Sequence, residues 1–292
     1  MSAARPAAPR AGRASPLQRA DGAAELAFAR RDGGITALAH LFQSDPCRVL
    51  FPREEDGDPP QAAIVTLSGG LSDGDRVRVA VEIRDGAVAT VTTQAAEKIY
   101  RASSYAEDCV VDVSLAVRAG ATLEWLPQET IVFDGARLRR RTVVDLAPDA
   151  RLLACEMVAL GRTASGESFT HGLVLDSWRI RRDGGLVWAD ALRLDGPPPT
   201  GLSGFGDATS IATAIYAAAD APARLDAARE ALDAIEAALP GLRAGITAVN
   251  GSLVARFLGD SRVVRMGVAR LIAKLRAICL GLPERLPRVW HV

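Results

Sequence analysis

The feature that most constrains this chain is a set of short segments in which apolar and polar side chains alternate. Residues 76–84 read RVRVAVEIR, so that valine or isoleucine occupies every second position. Residues 111–118, VDVSLAVR, repeat the pattern. Successive side chains of a β-strand leave opposite faces of the sheet, so a period of two indicates a strand buried on one side. The sequence therefore predicts a protein built mainly of strands.

Turn sequences separate these predicted strands from about residue 24 to about residue 194. Asp-Gly pairs are the most frequent turn signal, and they lie at Asp32-Gly33, Asp73-Gly74, Asp85-Gly86, Asp134-Gly135 and Asp183-Gly184. Both residues tolerate positive φ, and such pairs therefore favour hairpins. Many short strands at this spacing predict a large all-β layer or a coil of strands.

The pattern changes after residue 195. Residues 196–199 read GPPP and break the strand pattern. Apolar residues then recur at steps of three and four over 225–239 and again over 260–280, which predicts two amphipathic helices, with one or two further strands over 246–258 between them. The second predicted helix carries a basic face, which we expect to be solvated, formed by Arg262, Arg265, Arg270, Lys274 and Arg276.

These patterns predict the domain organisation. Residues 1–20, rich in Ala, Arg and Pro, are expected to be a disordered tail. Residues 21–292 are expected to form a single domain, with a β body over 21–195 and a helical and C-terminal part over 196–292.

Composition excludes several classes of protein. The 292 residues contain 35 basic and 35 acidic side chains, so no long-range field attracts nucleic acid or anionic membrane. No continuous apolar stretch is long enough to cross a membrane, and the N-terminus lacks the apolar core of a signal peptide. A cytoplasmic location is therefore expected. The four cysteines form no close pair, and Cys109 and Cys155, in apolar strand-like runs, are expected to be buried thiols.

Motifs of catalysis are missing from the sequence. It contains neither a phosphate-binding loop nor a dinucleotide fingerprint, and no nucleophile elbow accompanies the three histidines. This pattern favours a protein that binds and assembles partners. The alternative is an all-β hydrolase that uses paired carboxylates, Glu124 with Glu129 or Glu167.

Polar segments interrupt the apolar pattern at three places: residues 92–101, residues 123–133, and Gly161-Arg162 with Gly166-Glu167. Glu124 lies between Leu123 and Trp125 and would need a partner if buried. Lys98 or Arg101 is expected to supply it, whereas the alternative is a solvated strand face. A basic cluster is expected to be an exposed strand face, and it consists of Arg137, Arg139, Arg140 and Arg141.

Five blocks in a fixed order carry a family resemblance. The blocks are Gly69-Gly70 with Gly74-Asp75, residues 92–100, residues 123–129, residues 160–167, and the C-terminal residues 254–259 with 287–290. Their order and spacing resemble the urease accessory protein family UreD, called UreH in some organisms. The resemblance covers the chain from residue 25 to its end.

The resemblance implies a coiled, two-layered β architecture with a pair of helices. It implies a protein that is not an enzyme, which binds urease apoprotein and recruits UreF and, through UreF, the GTPase UreG. Nickel and carbon dioxide then complete the urease active site. It further implies an internal polar path for nickel, with nickel held transiently, no tightly bound cofactor, and neither nucleic acid nor membrane as a partner.

The path residues expected on this basis fall into two groups. The carboxylates expected to contact nickel are Asp75, Glu124 and Glu167. The side chains expected to line or gate the path are Thr92, Thr93, Gln94, Lys98, Tyr100, Gln128, Glu129 and Arg162. Oxygen ligands hold a hydrated divalent ion weakly, as passage requires. The alternative for each residue is a hydrogen-bonded network that fixes strand register.

Overall fold

A computed structural model describes residues 19–103, 107–201 and 204–291. The strands of the described residues are β1 (Asp21–Arg30), β2 (Thr36–Ser44), β3 (Cys47–Leu50), β4 (Gln61–Thr66), β5 (Arg76–Ile83), β6 (Val88–Thr93), β7 (Glu97–Ile99), β8 (Cys109–Val117), β9 (Thr122–Leu126), β10 (Thr130–Val132), β11 (Arg137–Leu146), β12 (Arg151–Leu160), β13 (Leu173–Arg182), β14 (Gly185–Asp195), β15 (Ser210–Ala217), β16 (Arg243–Val249) and β17 (Ser252–Gly259). The helices are α1 (Leu225–Ala237) and α2 (Ser261–Leu275), and α2 continues into a π-helical segment, Arg276–Leu280.

The strands form two sheets between which the chain passes back and forth. The first sheet has seven strands in the order β14-β13-β11-β8-β5-β1-β2. The second has ten strands. Eight follow the order β16-β17-β15-β12-β9-β6-β4-β3, and outside this order β10 pairs with β12 and β7 pairs with β10. From β5 to β13 the chain alternates between sheets, and within each sheet the strands of this part pair in parallel. The result is a coil of strands in two layers.

The turns of this coil correct one sequence prediction. Asp32-Gly33 and Asp183-Gly184 do join antiparallel neighbours, β1 with β2 and β13 with β14. Asp85-Gly86, however, joins β5 to β6, which belong to opposite sheets. Its Gly86 N–H donates to the Ala119 carbonyl of the next coil at 2.8 Å. A tight turn fixes only the reversal of the chain, so it cannot specify which strands pair.

The inner core fills the space between the two sheets. It takes alternate residues of each strand, such as Val79 and Val81 of β5 and Leu123 and Trp125 of β9. The period of two read from the sequence thus sets which side chains enter this core.

A second core lies between the outer face of the ten-stranded sheet and the two helices. Leu232 of α1 and Val268 and Leu271 of α2 pack there against Leu153 of β12 and Phe257 of β17. Asp260 caps α2 by accepting hydrogen bonds from the N–H groups of Arg262 and Val263, at 2.8 and 3.0 Å. Because β12 of the β body pairs with β15 of the C-terminal part, both parts of the chain share one sheet.

The predicted fold class is confirmed: the protein is mainly β, in two layers, with two helices in its C-terminal part. Residues 1–18 of the predicted tail lie outside the described residues. Across the three described ranges, every helix is too short or too polar to cross a membrane.

Candidate functional site

A cavity of about 230 Å³ lies between the two sheets. Apolar side chains of both sheets form part of its wall, and polar side chains form the rest. Four of the predicted path residues line it: Thr93, Gln94, Lys98 and Gln128. The folding of the chain thus brings residues of two separate polar segments to one cavity, which opens to solvent beside the exposed Gln94 and Lys98.

Glu97 contributes a carboxylate to this cavity. Thr66 donates a hydrogen bond to one carboxylate oxygen, and the Lys98 N–H donates to the other at 3.1 Å. Burial raises the pKa of Glu97, and these hydrogen bonds partly oppose the shift. Among the described residues, no basic side chain lies within salt-bridge distance of it.

The indole N–H of Trp125 also lies in this part of the protein. Trp125 lines the cavity and is 4% exposed, and its Nε1 has no hydrogen-bond partner among the described residues. Buried N–H groups are nearly always paired with protein or water. The cavity is therefore expected to hold water.

Arg140 of β11 forms the centre of a buried charged cluster at the cavity wall. Its guanidinium binds Asp176 of β13 through two bonds of 2.7 and 3.1 Å. A third nitrogen, Nη1, lies 2.6 Å from Glu156 of β12 and donates to Thr130 of β10 at 2.8 Å. Burial raises the pKa of Glu156 to about 8, although the positive charge of Arg140 opposes the shift.

A smaller cavity of about 30 Å³ lies beyond this cluster. Glu156 lines both cavities, and Asp176 lines only the smaller one. Asp190 and Arg256 form an ion pair in its wall, and Arg256 also donates to Thr213 at 2.8 Å. Glu156 thus lies in the walls of both cavities, and the Arg140 cluster lies where the two cavities meet.

This cluster corrects the expectation that Arg140 lies on an exposed face: its side chain is 8% exposed. Arg139 and Arg141, its neighbours on β11, are exposed as expected. The reason is the strand period, because Arg140 shares the inward face of β11 with Leu138 and Val144. This alternation of inward and outward positions is visible in the sequence, and it would have identified Arg140 as an interior residue. The same alternation places Glu156 of β12 in the interior, because it lies two residues after the inward-facing Ala154.

Glu124 lies on the other face of the ten-stranded sheet. It is fully buried and accepts a hydrogen bond from Thr90 at 2.5 Å. Its charge partner is Arg276, with Nε 2.7 Å from Oε1, and neither Lys98 nor Arg101 as predicted. Glu124 faces away from the inner core because its neighbours Leu123 and Trp125 face into it.

Arg276 was also expected on the solvated basic face of the second helix, and this prediction is wrong. It is fully buried and follows the fully buried Ile272 by one turn. Its guanidinium binds Asp58 at 2.9 Å as well as Glu124. The buried face of the helix is wider than the apolar stripe in the sequence indicates, because an ion pair completes it.

The C-terminal residues pack beside the predicted path residues. The Gln128 side chain donates to the Val289 carbonyl at 3.0 Å and accepts from Arg265 at 2.8 Å. Glu129 forms an ion pair with the same Arg265. Trp290 donates through its indole N–H to Thr92 at 3.2 Å. Thr92 in turn donates to the Leu126 carbonyl at 2.6 Å, which completes the network.

Asp75 lies apart from the cavity, at the start of the β body. One of its carboxylate oxygens accepts from the Ala20 N–H and the other from the Ser72 N–H, each at 2.7 Å. These bonds tie the residue before β1 to the turn before β5.

Arg162 and Glu167 form a third group. Their side chains form an ion pair, and Glu167 also accepts from the Asp134 N–H at 2.9 Å. The Arg162 guanidinium lies over the ring of Phe133, 4.4 Å from its centroid, and Tyr100 packs edge-on against the same ring at 5.0 Å.

The three carboxylates expected to contact nickel are therefore in separate places, and each accepts hydrogen bonds from protein donors. None of them lines the larger cavity. Within the described residues, no three His, Cys, Asp or Glu side chains are grouped so as to hold a metal ion. The arrangement also gives no support to paired-carboxylate hydrolysis, because Glu124 and Glu129 each form an ion pair with an arginine.

Fold and site together define a coiled, two-sheet β protein with helices on one sheet and with several polar side chains in the wall of a cavity between the sheets. The chain matches the family described as UreD urease accessory protein over residues 20–291. It is 42% identical over 285 residues to urease accessory protein UreD of Magnetococcus marinus, covering 95% of this chain and 96% of that protein. It is 44% identical over 248 residues to UreD of Granulibacter bethesdensis, covering 83% of this chain and 99% of that protein. The chain belongs to the UreD urease accessory protein family, and its role is in urease maturation.

Proposed function

We propose that this protein acts in the cytoplasm as a non-catalytic scaffold that binds urease apoprotein and UreF and, through UreF, the GTPase UreG. In that complex, nickel passes through the interior of the protein on its way to the urease active site. Membership of the UreD family supports the assembly role, because its relatives carry the name urease accessory protein.

The observation that carries the nickel path is the group of polar side chains in the otherwise mostly apolar wall of the larger cavity. Its volume of about 230 Å³ leaves room for several waters, because one water occupies about 30 Å³ of the liquid. A divalent ion that keeps part of its hydration shell therefore fits. Glu97 offers a carboxylate to a cation in this cavity, where burial raises the pKa of Glu97 and Lys98 lies in the same wall.

The chemistry of the lining favours passage over storage. Thr93, Gln94, Gln128 and Glu97 offer oxygen atoms, whereas nickel held for storage prefers imidazole or thiolate ligands. The Cys47 thiol also lines the cavity, but burial raises its pKa to about 11, so it stays protonated and binds metal poorly. A series of weak ligands along a path lets an ion enter and leave. The carboxylates Asp75, Glu124 and Glu167 are better suited to fixing the fold around the cavity.

The test is to fill the cavity without changing its charge. Val111 of β8 lines the cavity, whereas its neighbour Val110 points to the opposite face of the strand. Val111→Phe and the matched control Val110→Phe are each co-expressed with urease apoprotein, UreF and UreG. Co-purification measures assembly, and atomic absorption measures nickel per urease.

The expected result is that both variants co-purify with their partners and that only Val111→Phe delivers little nickel. Normal nickel content with Val111→Phe in an intact complex would reject passage through this cavity. Failure of the unmodified protein to co-purify with urease apoprotein or UreF would reject the scaffold itself.

A further inference from the structure

Two cavities meet at a buried cluster that is centred on one guanidinium. Arg140 and Glu156 line the larger cavity, and Glu156 and Asp176 line the smaller one. The Arg140 guanidinium holds both carboxylates, with Nη1 2.6 Å from Glu156 and Nη2 2.7 Å from Asp176. The residues that separate the cavities are thus the members of one ion-paired cluster.

The geometry points to Arg140 as a gate: its guanidinium closes the passage between the two cavities, and a divalent cation crosses only when that guanidinium moves aside. This inference rests on the proposed passage of nickel through the interior. It assigns the control of that passage to one side chain.

Two physical reasons support a gate at this position. A fixed positive charge repels an approaching divalent cation, and in a poorly solvated interior this repulsion is stronger than in water. In addition, the guanidinium fills space between the cavities while the Asp176 carboxylate balances its charge. An arriving cation can pair with Asp176 and contact the Glu156 oxygen atoms, so that the Asp176 charge stays balanced when Arg140 leaves.

The larger cavity provides the space for this movement. Arg140 lines that cavity, whose volume of about 230 Å³ exceeds what a guanidinium group needs. A long side chain with several rotatable bonds can swing into it while β11 stays in its ladder between β8 and β13. The gate therefore needs no rearrangement of the sheets.

The competing explanation is that Arg140 only holds the two sheets together. It extends from β11 of the seven-stranded sheet to Thr130 and Glu156 of the ten-stranded sheet. The two explanations predict opposite changes in nickel delivery when Arg140 is removed. Removing a purely structural clasp lowers nickel delivery in step with the loss of folded protein, whereas removing a gate raises the rate of delivery per folded complex.

The experiment compares Arg140→Gln with Arg141→Gln. Arg141 is the next residue of β11, but it faces outward, is 62% exposed and pairs with Asp112. Each variant is assembled with urease apoprotein, UreF and UreG, and the initial rate of nickel incorporation is measured per folded complex. For Arg140→Gln we expect a rate about tenfold higher, which corresponds to a barrier lower by roughly 1.4 kcal/mol. For Arg141→Gln we expect no change.

Two further variants keep the test decisive. Arg140→Gln with Asp176→Asn removes one positive and one negative charge together, so it carries the test if the single variant does not fold. Adding Val111→Phe to Arg140→Gln should return delivery to the low rate, because the larger cavity is then blocked. An unchanged or lower rate per folded complex in both Arg140 variants would overturn the gate. If Val111→Phe alone still blocked delivery, the proposed passage of nickel through the larger cavity would be retained.

Discussion

The guanidinium of Arg276 and the carboxylate of Glu124 form an ion pair in which neither side chain has any exposed surface. The two residues are 152 positions apart in the sequence, and Nε lies 2.7 Å from Oε1. Asp58, 1% exposed, adds a second carboxylate at 2.9 Å. This cluster attaches the end of the second helix and the loop before β4 to the outer face of the ten-stranded sheet.

Removal of one partner from this pair should destabilise the protein strongly. Breaking a buried ion pair typically costs about 3–5 kcal/mol, and Arg276 keeps Asp58, so Glu124→Gln should lower the free energy of unfolding by roughly 3 kcal/mol, at the lower end of that range. Glu124→Gln with both Arg276→Met and Asp58→Asn should recover much of that loss, since no unpaired charge then remains. Urea denaturation measures all variants. Substitution of Arg229, which forms an exposed ion pair with Asp226, serves as the control and should leave the free energy of unfolding almost unchanged.

The sequence predicts the elements of this fold better than it predicts their neighbours. The alternation over residues 76–84 identifies β5, and the apolar stripe over 225–239 identifies α1, because each depends on local periodicity alone. The partner of Glu124 depends on which strands and helices meet in space. Nothing near Glu124 in the sequence indicates Arg276, since the contact is made only after the coil closes.

The candidate site was only partly predictable for the same reason. Thr93 and Gln128 were expected in a shared polar path, and both line the larger cavity. Asp75 and Glu167 were grouped with them by residue type, yet each lies elsewhere and accepts a hydrogen bond from a backbone N–H group distant in the sequence. Arg140 was assigned to the surface because four arginines in a short run look solvated. Its position in the alternation of β11, however, places it in the interior.

The raised pKa of Glu156 predicts a specific pH dependence of stability. The pKa is about 8 in the folded protein against 4.5 for the ordinary group, so the folded state holds a proton that the unfolded state releases between these values. The contribution of Glu156 to stability is therefore greatest below about pH 4.5 and is lost as the pH rises towards about 8. Glu156→Gln resembles the protonated form, so its melting temperature relative to the unmodified protein should rise across this window.

Melting curves from about pH 5 to about pH 8.5 check this prediction. Above about pH 8 the difference between Glu156→Gln and the unmodified protein should become constant, because both folded and unfolded states are then deprotonated at residue 156. Glu82→Gln provides the control, because Glu82 is half-buried and its pKa is lowered, mainly by its hydrogen bond from Arg118, so that it does not titrate in this window. A difference that stays flat through the whole window would show that Glu156 titrates normally.

The four cysteines should be inert in the folded protein. All four are free and buried, as expected from sequence for Cys109 and Cys155. Burial raises the pKa of Cys47 to about 11 and that of Cys279 to about 12, so at neutral pH only a small fraction of either is thiolate. Titration with a thiol reagent should show slow labelling of the native protein and rapid labelling of four thiols after denaturation. Rapid native labelling of Cys47, located by peptide mass, would show that the larger cavity is open to the reagent.

Trp290 should anchor the C-terminal residues through its ring more than through its indole N–H. The ring is 5% exposed and lies 5.3 Å from the Arg265 guanidinium, while its N–H donates to Thr92 and to the Leu126 carbonyl, each at 3.2 Å. Trp290→Phe removes the hydrogen bonds and should cost about 1 kcal/mol, whereas Trp290→Ala also removes the buried ring and should cost about 3 kcal/mol or more. Chemical denaturation of both variants measures the difference. If Trp290→Phe were as unstable as Trp290→Ala, the hydrogen bonds to Thr92 and Leu126 would be the main anchor, and packing of the ring would be secondary.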